Sequence, residues 1–78
     1  MKIYTVGGSN DGLILATAKK KKVIAKCVEY LTTDDVGYSL LLESKIRHQM
    51  LLARQKSAML VFVENEVGTE VCIEIFEE

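Results

Sequence analysis

Four consecutive lysines, Lys19, Lys20, Lys21 and Lys22, form the densest charge in a chain of 78 residues. They open a stretch of helical periodicity, where the helix dipole disfavours exposed cations by about 0.3–1 kcal/mol each. A sequence shaped only by folding places acids at that point. Their presence implies that something negative is met there: a phosphate backbone, an acidic protein surface or the chain's own glutamates. Ordinary solvated helix formers fit the same run. Arg47 and Arg54 share a face of a second predicted helix and could extend the patch. Nucleic-acid binding is therefore the alternative function, although no recognised nucleic-acid motif accompanies the cluster.

Other reactive side chains are sparse. His48 has Ser44 and Leu52 as its i±4 neighbours, so no carboxylate or thiol supports it on a helix. Cys27, Cys72 and His48 are too few for a four-ligand structural zinc site, and no CxxC occurs. Two buried thiols in a reducing cytoplasm are expected, with a disulfide as the lesser reading. The run Gly7-Gly8-Ser9-Asn10-Asp11-Gly12 lacks the spacing of a phosphate-binding loop and precedes a strand pattern, not a helix. No nucleophile has a base in view. The expectation is a protein that is not an enzyme and needs no cofactor or metal.

Charge is unevenly spread. The net charge is −1, yet all ten Lys and Arg lie in residues 1–56. Residues 59–78 hold Glu64, Glu66, Glu70, Glu74, Glu77 and Glu78 and no base. A near-neutral sum excludes a protein held on nucleic acid by bulk charge. Glutamates along a strand can simply deter edge-to-edge aggregation. They can also form an acidic face, Glu64, Glu66, Glu70 and Glu74, that steers a basic protein partner.

The elements that must position these groups follow from periodicity. The chain is short enough for one domain, residues 1–78, and 49% hydrophobic with 27% charged residues suits a globular protein. Residues 2–6 and 13–18 read as strands joined by a hairpin loop with a mobile tip. Val23, Ile24, Cys27, Val28 and Leu31 make the stripe of a first helix, with Thr17 as its N-cap. Residues 40–57 read as a second helix capped by Asp35 or Ser39, with a strand over 38–42 as the alternative. Residues 59–63 are apolar throughout, as in a strand that is central or buried on both faces. Residues 70–76 alternate, with Val71, Ile73 and Ile75 on one side and Glu70, Cys72, Glu74 and Phe76 on the other. The order is β-β-α-α-β-β. It packs most simply as an α+β domain, a four-stranded antiparallel sheet with both helices on one face. No apolar run reaches membrane-spanning length and nothing reads as a signal peptide, so no membrane association and a cytoplasmic location are expected.

The second helix carries more apolar surface than one sheet covers. Leu42, Ile46, Met50 and Ala53 form a core stripe. Leu40 and Leu51 form a second row beside Arg47 and Arg54. Leu41 and Leu52 form a third, beside Lys45 and His48. The first helix can cover one of these two rows, and the other is left for a homodimer or other protein partner, so the candidate interface residues are Leu40, Leu41, Leu51, Leu52, Arg47 and His48. Small size points the same way, since a core this small contributes little net stability by itself.

Residues 1–6, then Gly8, Ser9 and Asp11, then Ile14-Leu15-Ala16 and a lysine-rich helix resemble the start of small accessory proteins of tailed phages. The resemblance covers the N-terminal third and stops after Thr33. It implies a host-takeover or anti-defence role, in which a small protein binds and blocks a host protein. It transfers no functional residues. The leading expectation is a small non-enzymatic protein that occludes or regulates a protein partner.

Overall fold

The computed structural model describes residues 1–33, 37 and 40–77. In chain order they form β1 (Lys2–Gly8), β2 (Gly12–Thr17), α1 (Lys20–Leu31), α2 (Leu40–Gln55), β3 (Leu60–Glu64) and β4 (Glu70–Glu77). The strands make one antiparallel sheet ordered β2-β1-β4-β3. Each hairpin closes locally, and the first and last strands then join them, with Val6 opposite Ile73 and Tyr4 opposite Ile75. The α+β class and element order match the sequence reading.

Alternation sends Val6, Val61, Val63, Val71 and Ile73 to one face of the sheet. There they meet Val23, Ile24, Cys27, Val28 and Leu31 of α1 and Leu42, Ile46, Met50 and Ala53 of α2. Each fully buried aliphatic side chain contributes about 1.5–3 kcal/mol. α1 lies over β1 and β2, and α2 lies over β3.

Several local expectations are corrected. Lys19, not Thr17, occupies the N-cap of α1, and no side chain caps that end. Thr17 Oγ1 instead accepts the Lys19 N–H at 3.1 Å, so its oxygen serves the approach to the helix and not its first turn. α2 stops at Gln55, not at residue 57. Ser57 adopts φ 54°, and the Ser57 and Ala58 N–H groups donate back to the Arg54 and Ala53 carbonyls. That is a left-handed helix stop of Schellman type. Leu40 and Leu42 are helical, which removes them from the strand alternative. Asp35, Tyr38 and Ser39 lie outside the described residues. β3 is neither central nor doubly buried. It is an edge strand with Val61 and Val63 inward and Leu60 and Phe62 exposed.

Two long-range contacts fix the loops. Asn65, buried after β3, donates from its side-chain amide to the Leu31 carbonyl at 2.8 Å. Its Oδ1 accepts the Val67 and Thr69 N–H groups at 3.0 and 2.9 Å. One side chain thus shapes the β3–β4 turn and satisfies a carbonyl at the end of α1. Tyr30 secures the other hairpin, because its hydroxyl accepts the Asn10 N–H at 3.1 Å. Its ring sits so close to Gly8 that a Cβ there would fall 2.3 Å from the ring carbon bearing the hydroxyl. Ser9 extends the β1–β4 pairing through a 3.0 Å bond to the Glu70 carbonyl.

Candidate protein-binding face

The face of the sheet turned away from the helices is uncovered. Strand register arranges it in rows. One row runs Leu13, Gly7, Cys72, Phe62, and the next runs Ala16, Thr5, Glu74, Leu60. Ile3 and Phe76 flank them on one side, and the opposed pair Glu64 and Glu70 on the other. Gly7 has no side chain, so the first row dips between Leu13 and Cys72. Leu13, Leu60, Phe62 and Phe76 are between 44% and 69% exposed. Single exposed leucines are ordinary on protein surfaces, but here four large apolar side chains stand exposed on one sheet face.

The acids share that face. Glu64, Glu70 and Glu74 alternate with the inward Val63, Val71 and Ile73, and none of the residues on the face is Lys or Arg. Glu64 stands directly opposite Glu70, a pairing that costs about 0.2–1 kcal/mol. Glu66 is brought only to the turn at the end of the hairpin. Cys72 lies between Glu70 and Glu74, and partial burial with those two carboxylates pushes its thiol above the ordinary range. Cys27, buried on the other side of the sheet, is pushed up to about 12 by burial. Both cysteines are free. Cys72 is only partly buried, which corrects the expectation of two buried thiols.

The bases take the other layer. Every Lys and Arg except Lys2 belongs to α1, α2 or the residues that flank them. Glu29 pairs with Lys26 and Glu43 with Arg47, the latter at 2.9 Å, so the acids of this layer answer two of its cations. The charge asymmetry of the sequence is therefore an asymmetry in space: basic helices backing an acidic, apolar sheet face.

The proposed rows on α2 separate. Leu40 and Leu41 are 72% and 81% exposed, and Leu51 is half-exposed. Arg47 lines a groove of about 440 Å³ between the two helices, with Ile24, Val28 and Glu43. His48 is exposed. Leu52 leaves this group and lines a groove with Ala58, Leu60 and Phe62 beside β3. There Lys45 Nζ donates to the Glu64 carbonyl at 2.9 Å, so a cation guards part of the sheet edge. Lys19, Lys20, Lys21 and Lys22 are exposed at the start of α1, which has no acid in its first turn.

The sheet face escaped the sequence reading because an apolar run of five residues fits two burial states. A discriminating signal was present in Phe76, which alternates onto the same side of its strand as Glu70 and Glu74 and so could not belong to the core; the place of Leu13 depends on strand pairing. No known protein family, characterised protein or solved structure matches this chain. Among the described residues, no group of three His, Cys, Asp or Glu could hold a metal ion, and no helix is long and apolar enough to cross a membrane.

Proposed function

We propose that this chain is a non-enzymatic binding domain that occludes a surface of another protein, which it engages through the open sheet face. The observation that carries the reading is the co-location of Leu13, Leu60, Phe62 and Phe76 with Glu64, Glu70 and Glu74 and no base. Such a face fits a partner surface with an apolar anchor ringed by Lys or Arg. Charge argues against a second copy as the occupant. Two sheet faces related by a twofold would oppose acid to acid. A sheet face on a neighbour's helices would be a head-to-tail contact that need not close. The resemblance to phage accessory proteins extends the reading to a host or defence protein as the partner, in a cytoplasmic setting.

Charge reversal tests the steering half of this reading. Glu70→Lys/Glu74→Lys keeps the fold, because both side chains point away from the core, and the circular dichroism spectrum is unchanged. Association with the partner that co-purifies from the native cell slows several-fold at about 20 mM salt, where screening is weak, and less at about 200 mM. An association rate indifferent to the reversal at low salt would leave these glutamates with only an aggregation-blocking role.

A second reading rests on Leu40, Leu41 and Leu51. Their exposure supports self-association through α2, independent of the sheet face. Sedimentation equilibrium at tens of micromolar then gives twice the monomer mass, and Leu41→Glu/Leu51→Glu returns the monomer without unfolding it. A wild type that stays monomeric into the millimolar range removes the homodimer. The alternative, nucleic-acid binding through Lys19, Lys20, Lys21 and Lys22, is separated by salt, since phosphate contacts weaken steeply with ionic strength.

A further inference from the structure

At the end of the molecule where α1 begins and α2 ends, a cleft of about 560 Å³ opens between the helices and the sheet. Three cations line it from three different elements: Lys2 of β1, Lys20 of α1 and Arg54 of α2. None of the three forms an ion pair among the described residues, and Glu77, opposite Lys2 across the sheet, is the one carboxylate beside them. α1 enters the cleft without a capping side chain and without an acid in its first turn, so its first N–H groups add to the positive end. Tyr4 also lines the cleft. The residue is only 9% exposed, and its hydroxyl, without a hydrogen-bond partner among the described residues, is open to solvent in the cleft. The remaining wall is largely apolar, from Met50, Ala53, Met59 and Ile75, and Glu77 stands at the sheet end.

We infer that this cleft binds a small phosphorylated molecule, with its phosphate among Lys2, Lys20 and Arg54 and an apolar or planar body over Met50, Met59 and Ile75. The volume suits one small organic ligand. Arg and Lys together supply a fork and a point charge for a phosphate, and Tyr4 supplies a neutral donor. Glu77 opposes a second phosphate in the same cleft, which favours a single anionic group over a nucleic-acid backbone threading through it. The site gives one of the four lysines at the unfavourable end of α1, Lys20, a counter-charge to meet. It is separate from the sheet face on which partner binding rests.

Phenyl phosphate is the probe, titrated into the isotopically labelled 78-residue chain and followed by amide chemical shifts. Saturable shifts are expected around Lys2, Lys20 and Ser57, with a dissociation constant below about 1 mM and about tenfold tighter than inorganic phosphate, reflecting burial of the ring. Lys20→Gln/Arg54→Gln weakens binding by about tenfold or more, and Tyr4→Phe weakens it about threefold with the dispersion of the spectrum retained. The inference is overturned by any of three results: no saturable shift at these amides, equal affinity for neutral benzyl alcohol, or unchanged binding in Lys20→Gln/Arg54→Gln. Preference for a single-stranded oligonucleotide, with affinity that follows Lys19, Lys21 and Lys22 instead of Tyr4 and Arg54, would assign the basic end to nucleic acid and overturn it as well.

Discussion

Asn65→Ala lowers stability by about 2–4 kcal/mol, and the melting temperature falls by on the order of 10–20 °C in a domain of this size. Three hydrogen bonds end on that side chain, and the residue is buried. Truncation leaves the Leu31 carbonyl and the Val67 and Thr69 N–H groups without their protein partner. The bond to the Leu31 carbonyl is buried, and the bonds from the Val67 and Thr69 N–H groups are partly so. Small domains are marginally stable, so this loss is a large share of the total. Asn65→Asp separates the contributions. Its Oδ1 still accepts from Val67 and Thr69, but a carboxylate oxygen then faces the Leu31 carbonyl. It should be destabilising at neutral pH and partly relieved in acid, where the protonated carboxyl donates again. Thermal unfolding of both variants at pH 4 and pH 7 checks this. An Asn65→Ala protein within about 0.5 kcal/mol of wild type would show that the turn does not depend on the tie to α1.

Phe62→Ser has the opposite profile. Phe62 stands at the β3 end of the row Leu13, Gly7, Cys72, Phe62, next to Leu60 on the same strand face, and is 56% exposed, so monomer stability changes by no more than about 1 kcal/mol. Aromatic anchors that become fully desolvated against a partner are worth about 2–4 kcal/mol on truncation. Partner affinity should therefore fall by about 30-fold to 1,000-fold, mostly through faster dissociation. The glutamate reversal should act mainly on association instead. The two variants divide anchoring from steering on a single face.

The residues whose signals are local were legible in the sequence. Leu42, Ile46, Met50 and Ala53 recur at helical spacing and are the buried stripe of α2. Val71 and Ile73 alternate with Glu70 and Glu74, and the strand splits between core and open face as the pattern requires. Glycines and turn formers at 7–12 mark the first hairpin. The features that stayed hidden depend on distant partners. Asn65 reaches a carbonyl 34 positions away, and nothing in its neighbours announces that bond. Gly8 reads as a turn residue until the Tyr30 ring is seen against it. Thr17 has the right chemistry for a helix cap but spends its oxygen on Lys19. The run from Met59 to Val63 is apolar on both sides, and only the strand order shows that β3 is an edge with one side open. The lysines and glutamates were visible as separate blocks, and the two-layer fold turns that separation into two faces. The cleft at the base of the helices joins Lys2, Tyr4, Lys20 and Arg54, which no sequence spacing groups together.

The most direct measurement places the two faces in competition. The partner that co-purifies with the chain is immobilised, and binding of wild type, Phe62→Ser and Lys20→Gln/Lys21→Gln is compared at about 20 and 200 mM salt. Docking on the sheet face predicts that Phe62→Ser loses at least 30-fold in affinity at both salt concentrations, while the lysine variant stays within about threefold of wild type. Full affinity in Phe62→Ser, with binding lost in the lysine variant, would contradict docking on the sheet face and move the interface to the basic helices.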